Sequence, residues 1–100
     1  FLGLKRNGYD VYHYKTAEDH EVDFFMPKKK AFIQVVQNMD DAETRKREVR
    51  ALVEAASEQK KGVKLFIVTE REKNIIQQNG RKIHIVPLYE WLLEADTMAL

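Results

Sequence analysis

The chain has no cysteine. That excludes a disulfide framework, a thiolate metal site and a thiol nucleophile, and it is compatible with a reducing cytoplasm. It has only four glycines, well separated, so no glycine-rich phosphate loop can form within these residues. No apolar run approaches the roughly 20 residues needed to span a bilayer, and no signal-peptide pattern is present. Excess charge of one sign is missing too. Seventeen basic and sixteen acidic residues leave a net charge of +1, so any basic footprint for a polyanion has to be local. What remains is 100 residues with 44% hydrophobic and 33% charged content, the profile of one soluble globular domain that buries its own core. The sequence opens on Phe1 without an initiator Met, and Phe1-Leu2-Gly3-Leu4 looks like the tail of a helix already under way. The expectation is a single domain over 1–100, cut from a longer protein.

The chain is organised around His20 to Gln37, HEVDFFMPKKKAFIQVVQ. Val22, Phe24 and Met26 alternate with Glu21, Asp23 and Phe25, a period of two that predicts a strand. Pro27 to Lys30 makes a turn, and Ala31 to Val36 is a second apolar strand. A four-residue loop pairs Met26 with Ala31, which sets Asp23 opposite Gln34 and Glu21 opposite Val36. Directly opposed residues share a face, so two carboxylates and an amide would line one patch. Upstream, Tyr9 to Lys15 reads as a strand and Thr16 to Asp19 as a hairpin loop, pairing Lys15 with His20, Tyr14 with Glu21 and Tyr12 with Asp23. A three-stranded meander then carries Tyr12, Asp23 and Gln34 in one row.

The other elements follow from local chemistry. Lys5-Arg6-Asn7-Gly8 fits a helix C-terminus. Asp40 or Asp41 caps a helix whose Val49, Leu52, Val53 and Ala56 form one apolar stripe, with Glu43 and Arg47 paired on the wet side and Lys60-Lys61-Gly62 closing it. Val63 to Thr69 is a nearly continuous apolar run, as in a strand buried on both faces, reached by a crossover from the meander. Asn79-Gly80 between Asn74–Gln78 and Arg81–Val86 is a strong hairpin signal. Pro87 can open a last helix over Leu88 to Ala95. The predicted order is α-β-β-β-α-β-β-β-α, one mixed-sheet α/β domain.

Several residues could carry chemistry, and each has a plainer explanation. Glu21 and Asp23 suit a cation, or are two solvated strand carboxylates. Gln34 is a poor metal ligand and fits a buried amide satisfied by its neighbours. His13, His20 and His84 lack metal-ligand spacing, and His20 is the one beside a candidate carboxylate. Lys28, Lys29 and Lys30 could meet nucleic-acid phosphates or simply be a hydrated turn. Arg45, Lys46, Arg47 and Arg50 are interleaved with Glu43, Glu48 and Glu54, which reads as an ordinary wet helix face. Tyr9, Tyr12 and Tyr14 could stack on bases or on one another.

With this order of elements, the chain resembles the PD-(D/E)XK nuclease superfamily, the restriction-endonuclease-like fold. The resemblance implies that Asp23 is the strand aspartate, that Gln34 stands where the second carboxylate would be, and that Val36 stands where the lysine would be. The first-helix glutamate of nuclease relatives has Gly3 as its counterpart. A second resemblance covers nearly the whole chain: Leu4 to Tyr9, Tyr12 to Tyr14, Glu21 to Phe24, Ile33 to Val35, Thr44 to Glu48 and Ile83 to Leu93. It is to the C-terminal domain of unknown function of bacterial and archaeal AAA-type ATPases, described as ATP-binding proteins. These resemblances imply a cytoplasmic, prokaryotic accessory domain with a degenerate nuclease site, Asp23, Glu21 and Gln34, that binds nucleic acid or a protein partner or regulates its own ATPase domain. No cofactor is expected in this part, and ATP would belong to the missing N-terminal part. The other expectation, from a different class, is a working Mg²⁺-dependent DNA nuclease with Asp23 and Glu21 as ligands.

Overall fold

The computed structural model describes residues 11–60 and 62–91. The predicted first helix, the C-terminal part of the last one and the tail lie outside them. Among the described residues the order is β1 (Tyr12–Lys15), β2 (Glu21–Met26), a 3₁₀ turn Pro27–Lys29, β3 (Ala31–Val35), α1 (Ala42–Ser57), β4 (Lys64–Thr69), β5 (Asn74–Gln78) and β6 (Arg81–Pro87). Residues 88–91 then start a helix. The strands form one six-stranded sheet in the order β1-β2-β3-β4-β6-β5. β1, β2 and β3 make the expected antiparallel meander, while β3, β4 and β6 run parallel and β5 returns antiparallel at the far edge.

Local chemistry explains most of these elements. Lys30 takes a left-handed conformation (φ 50°) after the Pro27 turn and delivers Ala31 opposite Met26, the predicted pairing. Asn79 and Gly80 both have positive φ, 52° and 75°, the conformation of a two-residue hairpin turn, and Gln78 pairs with Arg81 as expected. Asp41 is the cap of α1, its Oδ2 accepting from the Thr44 backbone N–H at 3.0 Å and from the Thr44 hydroxyl at 2.8 Å. α1 stops at Ser57, short of Lys60-Lys61-Gly62. Glu58 and Gln59 turn instead to Tyr14, whose hydroxyl donates to Glu58 at 2.7 Å and accepts from the Gln59 amide at 3.1 Å. Pro87 ends β6 opposite Thr69, and the helix expected from Leu88 starts directly after it.

The sheet is buried on both sides. On the α1 side Phe32, Leu65, Ile67, Ile83 and Ile85 meet Leu52, Ala55 and Ala56. On the other side Met26, Ile33, Val68 and Val86 gather around Trp91. The helix stripe is wider than expected, since Ala51 and Ala55 are buried as well while Val53 is only half-buried. Those small side chains form the flank of α1 that faces β2, and Glu48 stands at the head of the same row.

The β1–β2 register departs from the expected one. Lys15 pairs with Glu21 and Tyr14 with Val22, but Tyr12 pairs with Phe25. The loop is three residues, not four. Thr16 N–H donates to His20 O at 2.8 Å, Asp19 N–H to Thr16 O at 2.9 Å, and Asp19 has φ 72°. In addition β2 carries a bulge, with Asp23 and Phe24 together facing His13. Val22 and Phe25, three apart, therefore both pack toward α1. Tyr12, Asp23 and Gln34 do not form a row, and Tyr12 is exposed.

Candidate active site

The bulge lies at Asp23, the point where β2 and β3 part. Their regular pairing runs from Met26–Ala31 to Phe24–Ile33 and ends there, so the expected Glu21–Val36 pair does not form. Gln34 fills the gap. Its side chain is 1% exposed, and its Oε1 accepts from the Asp23 backbone N–H at 2.7 Å while its Nε2 donates to Glu21 O at 3.1 Å. One primary amide thus does for β2 what a peptide unit of β3 does elsewhere. In return the Val35 backbone N–H donates to Asp23 Oδ2 at 2.8 Å. Asp23 is anchored at main chain and carboxylate, and its other carboxylate oxygen has no hydrogen-bond partner among the described residues. Val36 donates its N–H to Val68 O at 2.9 Å and packs against the α1-side core.

Asp23 opens into a cleft of about 370 Å³ between β2 and α1, lined also by Lys15, Asp19, His20, Glu21, Arg47 and Glu48. Glu48 is a site residue that the sequence pattern hides. The pattern puts it on the wet face, yet its side chain is 19% exposed, and Arg47 pairs with it at 3.5 Å rather than with Glu43. Burial raises the Glu48 carboxyl above its ordinary range, and the negative charge of Asp23 raises it further, with Arg47 opposing. One signal could have found it: a glutamate leading the Ala51–Ala55 row at i+3 and i+7, on the buried flank of an amphipathic helix.

The remaining predicted residues lie apart or at the rim. Glu21 is exposed, with its carboxylate 3.7 Å from His13 Nε2. Lys28, Lys29 and Lys30 sit at the other end of β2 and do not line the cleft. Two cations do, Lys15, paired with Asp19 at 2.9 Å, and Arg47. A separate hollow of about 610 Å³ at the carboxyl ends of β3 and β4 contains Arg45, but Glu72 already holds that guanidinium with two contacts of 3.1 Å.

The wall of the cleft is fastened to α1. Glu58 accepts from the Tyr14 hydroxyl and, at 2.7 Å, from the Ala17 N–H. Glu54 accepts from the Thr16 hydroxyl, from His20 Nδ1 at 2.5 Å and from the Glu18 N–H at 3.3 Å. The Thr16 hydroxyl bond, followed by the His20 bond, holds the Glu54 carboxyl below its ordinary range.

The restriction endonuclease family model, Mrr_cat, matches residues 2–84. No curated protein and no solved structure matches the chain. The mixed six-stranded sheet with α1 between β3 and β4 is consistent with the restriction-endonuclease-like α/β fold.

Proposed function

The chain belongs to the restriction endonuclease family, and on that premise we propose that the Asp23 cleft cuts the phosphodiester backbone of nucleic acid with the help of a divalent cation. In this reading Glu48, from α1, does the work of the missing second strand carboxylate. The observation that carries it is the convergence of Asp23 and Glu48 on one cleft, close enough for the charge of one to raise the carboxyl of the other.

A hard dication fits this donor set. Mg²⁺ takes one or two carboxylates and completes its shell with water. Asp23 has one oxygen not bound to Val35, and Glu48 sits in a negative field that a cation would relieve. Asp23 and Glu48 would hold the ion, and it would supply positive charge against the phosphate. The chain's own groups do the rest. Val35 N–H fixes the Asp23 carboxylate and Gln34 fixes the backbone beneath it, so the ligand is preorganised. Arg47 and Lys15 offer phosphate oxygens the positive charge that Val36 cannot, while Glu21 stays at the rim.

The test is incubation of the purified protein with supercoiled plasmid and Mg²⁺ or Mn²⁺. Nicking that a chelator stops, and that Asp23→Asn and Glu48→Gln both abolish, is the expected result. Absence of cutting with either ion, or equal cutting by the Asp23→Asn variant, overturns the reading.

One observation favours a second reading. Gln34 has both ends of its amide engaged and Val36 is aliphatic, so the strand half of the usual catalytic motif offers no ligand and no amine. On this reading the domain binds nucleic acid or a protein partner without cutting, as a regulatory part of a longer cytoplasmic AAA-type ATPase. The motif order from Leu4 to Leu93 supports that linkage. Salt-sensitive DNA binding without cleavage under any divalent ion is its signature.

A further inference from the structure

Beside the Asp23 cleft lies a second set of ligands with a different chemistry. Glu18, His20 and Glu54 each bring one ligand atom within 4.8 Å of the other two. Neither of the two glutamates forms an ion pair with a lysine or arginine among the described residues; the His20 imidazole pairs with Glu54, and the Glu18 carboxylate stands within 4.8 Å of both.

We propose that Glu18, His20 and Glu54 bind a borderline transition-metal dication of the Zn²⁺ class, which clamps the β1–β2 hairpin to α1. The donors come from two separately held segments. The hairpin presents Glu18 and His20 two residues apart, with the turn between them set by the left-handed Asp19 and by the Thr16–His20 backbone bond. Helix α1 presents Glu54. The two segments are already fixed to each other by Glu58, through the Tyr14 hydroxyl and the Ala17 N–H, a link that involves none of the three donors. Little ordering is therefore left to oppose binding.

The donor types select the ion. An imidazole with carboxylates suits Zn²⁺, whereas Mg²⁺ favours an all-oxygen shell rich in water. The nitrogen site is thus distinct from the all-carboxylate pair at Asp23 and Glu48. In a tetrahedral shell with ligand distances of about 2.0–2.2 Å, neighbouring ligand atoms stand roughly 3.3 Å apart. Closing from the present spacing needs side-chain adjustments on the order of 1 Å, with the ion replacing the direct His20–Glu54 bond. Glu18 is exposed and His20 partly so, which leaves a path for the ion and room for water as a further ligand.

Titration of the protein with ZnCl₂, followed by calorimetry and by thermal unfolding, tests the site. The expected result is one saturable site, a rise in Tm of several degrees, and at least tenfold weaker binding in both His20→Ala and Glu18→Gln. Glu18→Gln keeps the test sound if His20→Ala fails to fold, because the Glu18 carboxylate accepts no hydrogen bond among the described residues. Glu48→Gln should bind Zn²⁺ as the parent does, which separates this site from the nuclease reading. No saturable uptake, or uptake left intact by Glu18→Gln and lost on His13→Ala, overturns the proposal.

Discussion

Replacing Gln34 is the sharpest probe of how the candidate site is built. The Gln34 amide supplies an acceptor to Asp23 N–H and a donor to Glu21 C=O from a position 1% exposed. Gln34→Leu keeps most of the volume and removes both bonds. A hydrogen bond contributes a net ~1 kcal/mol, and a donor or acceptor left buried and unpaired costs about 1–3 kcal/mol. Glu21 lies on an exposed stretch, so water repairs part of the damage there, and the sum comes to about 2–4 kcal/mol. In a domain of this size that is a fall in Tm of roughly 10–25 °C. Gln34→Glu introduces the carboxylate that the resemblance to nucleases would put at this position, yet it should cost as much. It keeps an acceptor for Asp23 N–H, sets a carboxylate against the Glu21 carbonyl, and buries a charge. Urea denaturation followed by circular dichroism measures both, through the midpoint at constant m. If both variants fall within ~0.5 kcal/mol of the parent, the surface-substitution range, Gln34 does not bridge the strands.

Other outcomes follow from the same geometry. Glu48→Gln should raise Tm at pH 7 in chelator, because burial and Asp23 disfavour the carboxylate. The folded state holds that proton more tightly than the unfolded chain, so the penalty is absent below about 4.5, the value of the unfolded chain, and grows as pH rises above it through the raised folded value; the stabilisation should follow that course. Asp41 has the opposite sign, since its bonds to Thr44 lower its carboxyl from about 3.8. Asp41→Asn should be less stable than the parent at pH 7, with the difference vanishing as acid protonates the cap; a gap that persists at low pH refutes the charge argument. In the plasmid assay Arg47→Ala should slow cutting roughly tenfold or more, on the scale of lost transition-state charge stabilisation. Replacing Lys28, Lys29 and Lys30 together by Ala should change it less than twofold if these residues only cap the far end of β2. Equal losses would place the substrate path along the lysine turn.

The legible parts of the fold were those written in a few adjacent residues. Asn79-Gly80 specified its hairpin, Pro27 to Lys30 specified the Met26–Ala31 register, and the Asp40-Asp41 pair marked the start of α1 without deciding which of the two caps it. The β1–β2 register was not legible because two independent one-residue choices decide it. One is the left-handed Asp19, which shortens the loop; the other is the bulge at Asp23 and Phe24, which no alternation pattern announces. The candidate site was half legible. Asp23 and Gln34 were placed side by side, but an amide that replaces a backbone rung depends on where two strands diverge. Glu48 and Glu54 looked like part of a hydrated face because the helix stripe was read too narrowly. The buried Ala51 and Ala55 show that the packed arc extends toward β2 and takes both glutamates with it.

The central claim is that a strand aspartate and a helix glutamate together hold the ion. An anomalous-difference map from crystals soaked in MnCl₂ tests it most directly. The account predicts a peak within about 2.0–2.6 Å of carboxylate oxygens from both Asp23 and Glu48, the range spanned by hard dications, with the Gln34 amide still bonded to Asp23 N–H and Glu21 C=O. A peak ligated by Gln34 in place of Glu48, or no peak in the cleft, would contradict it.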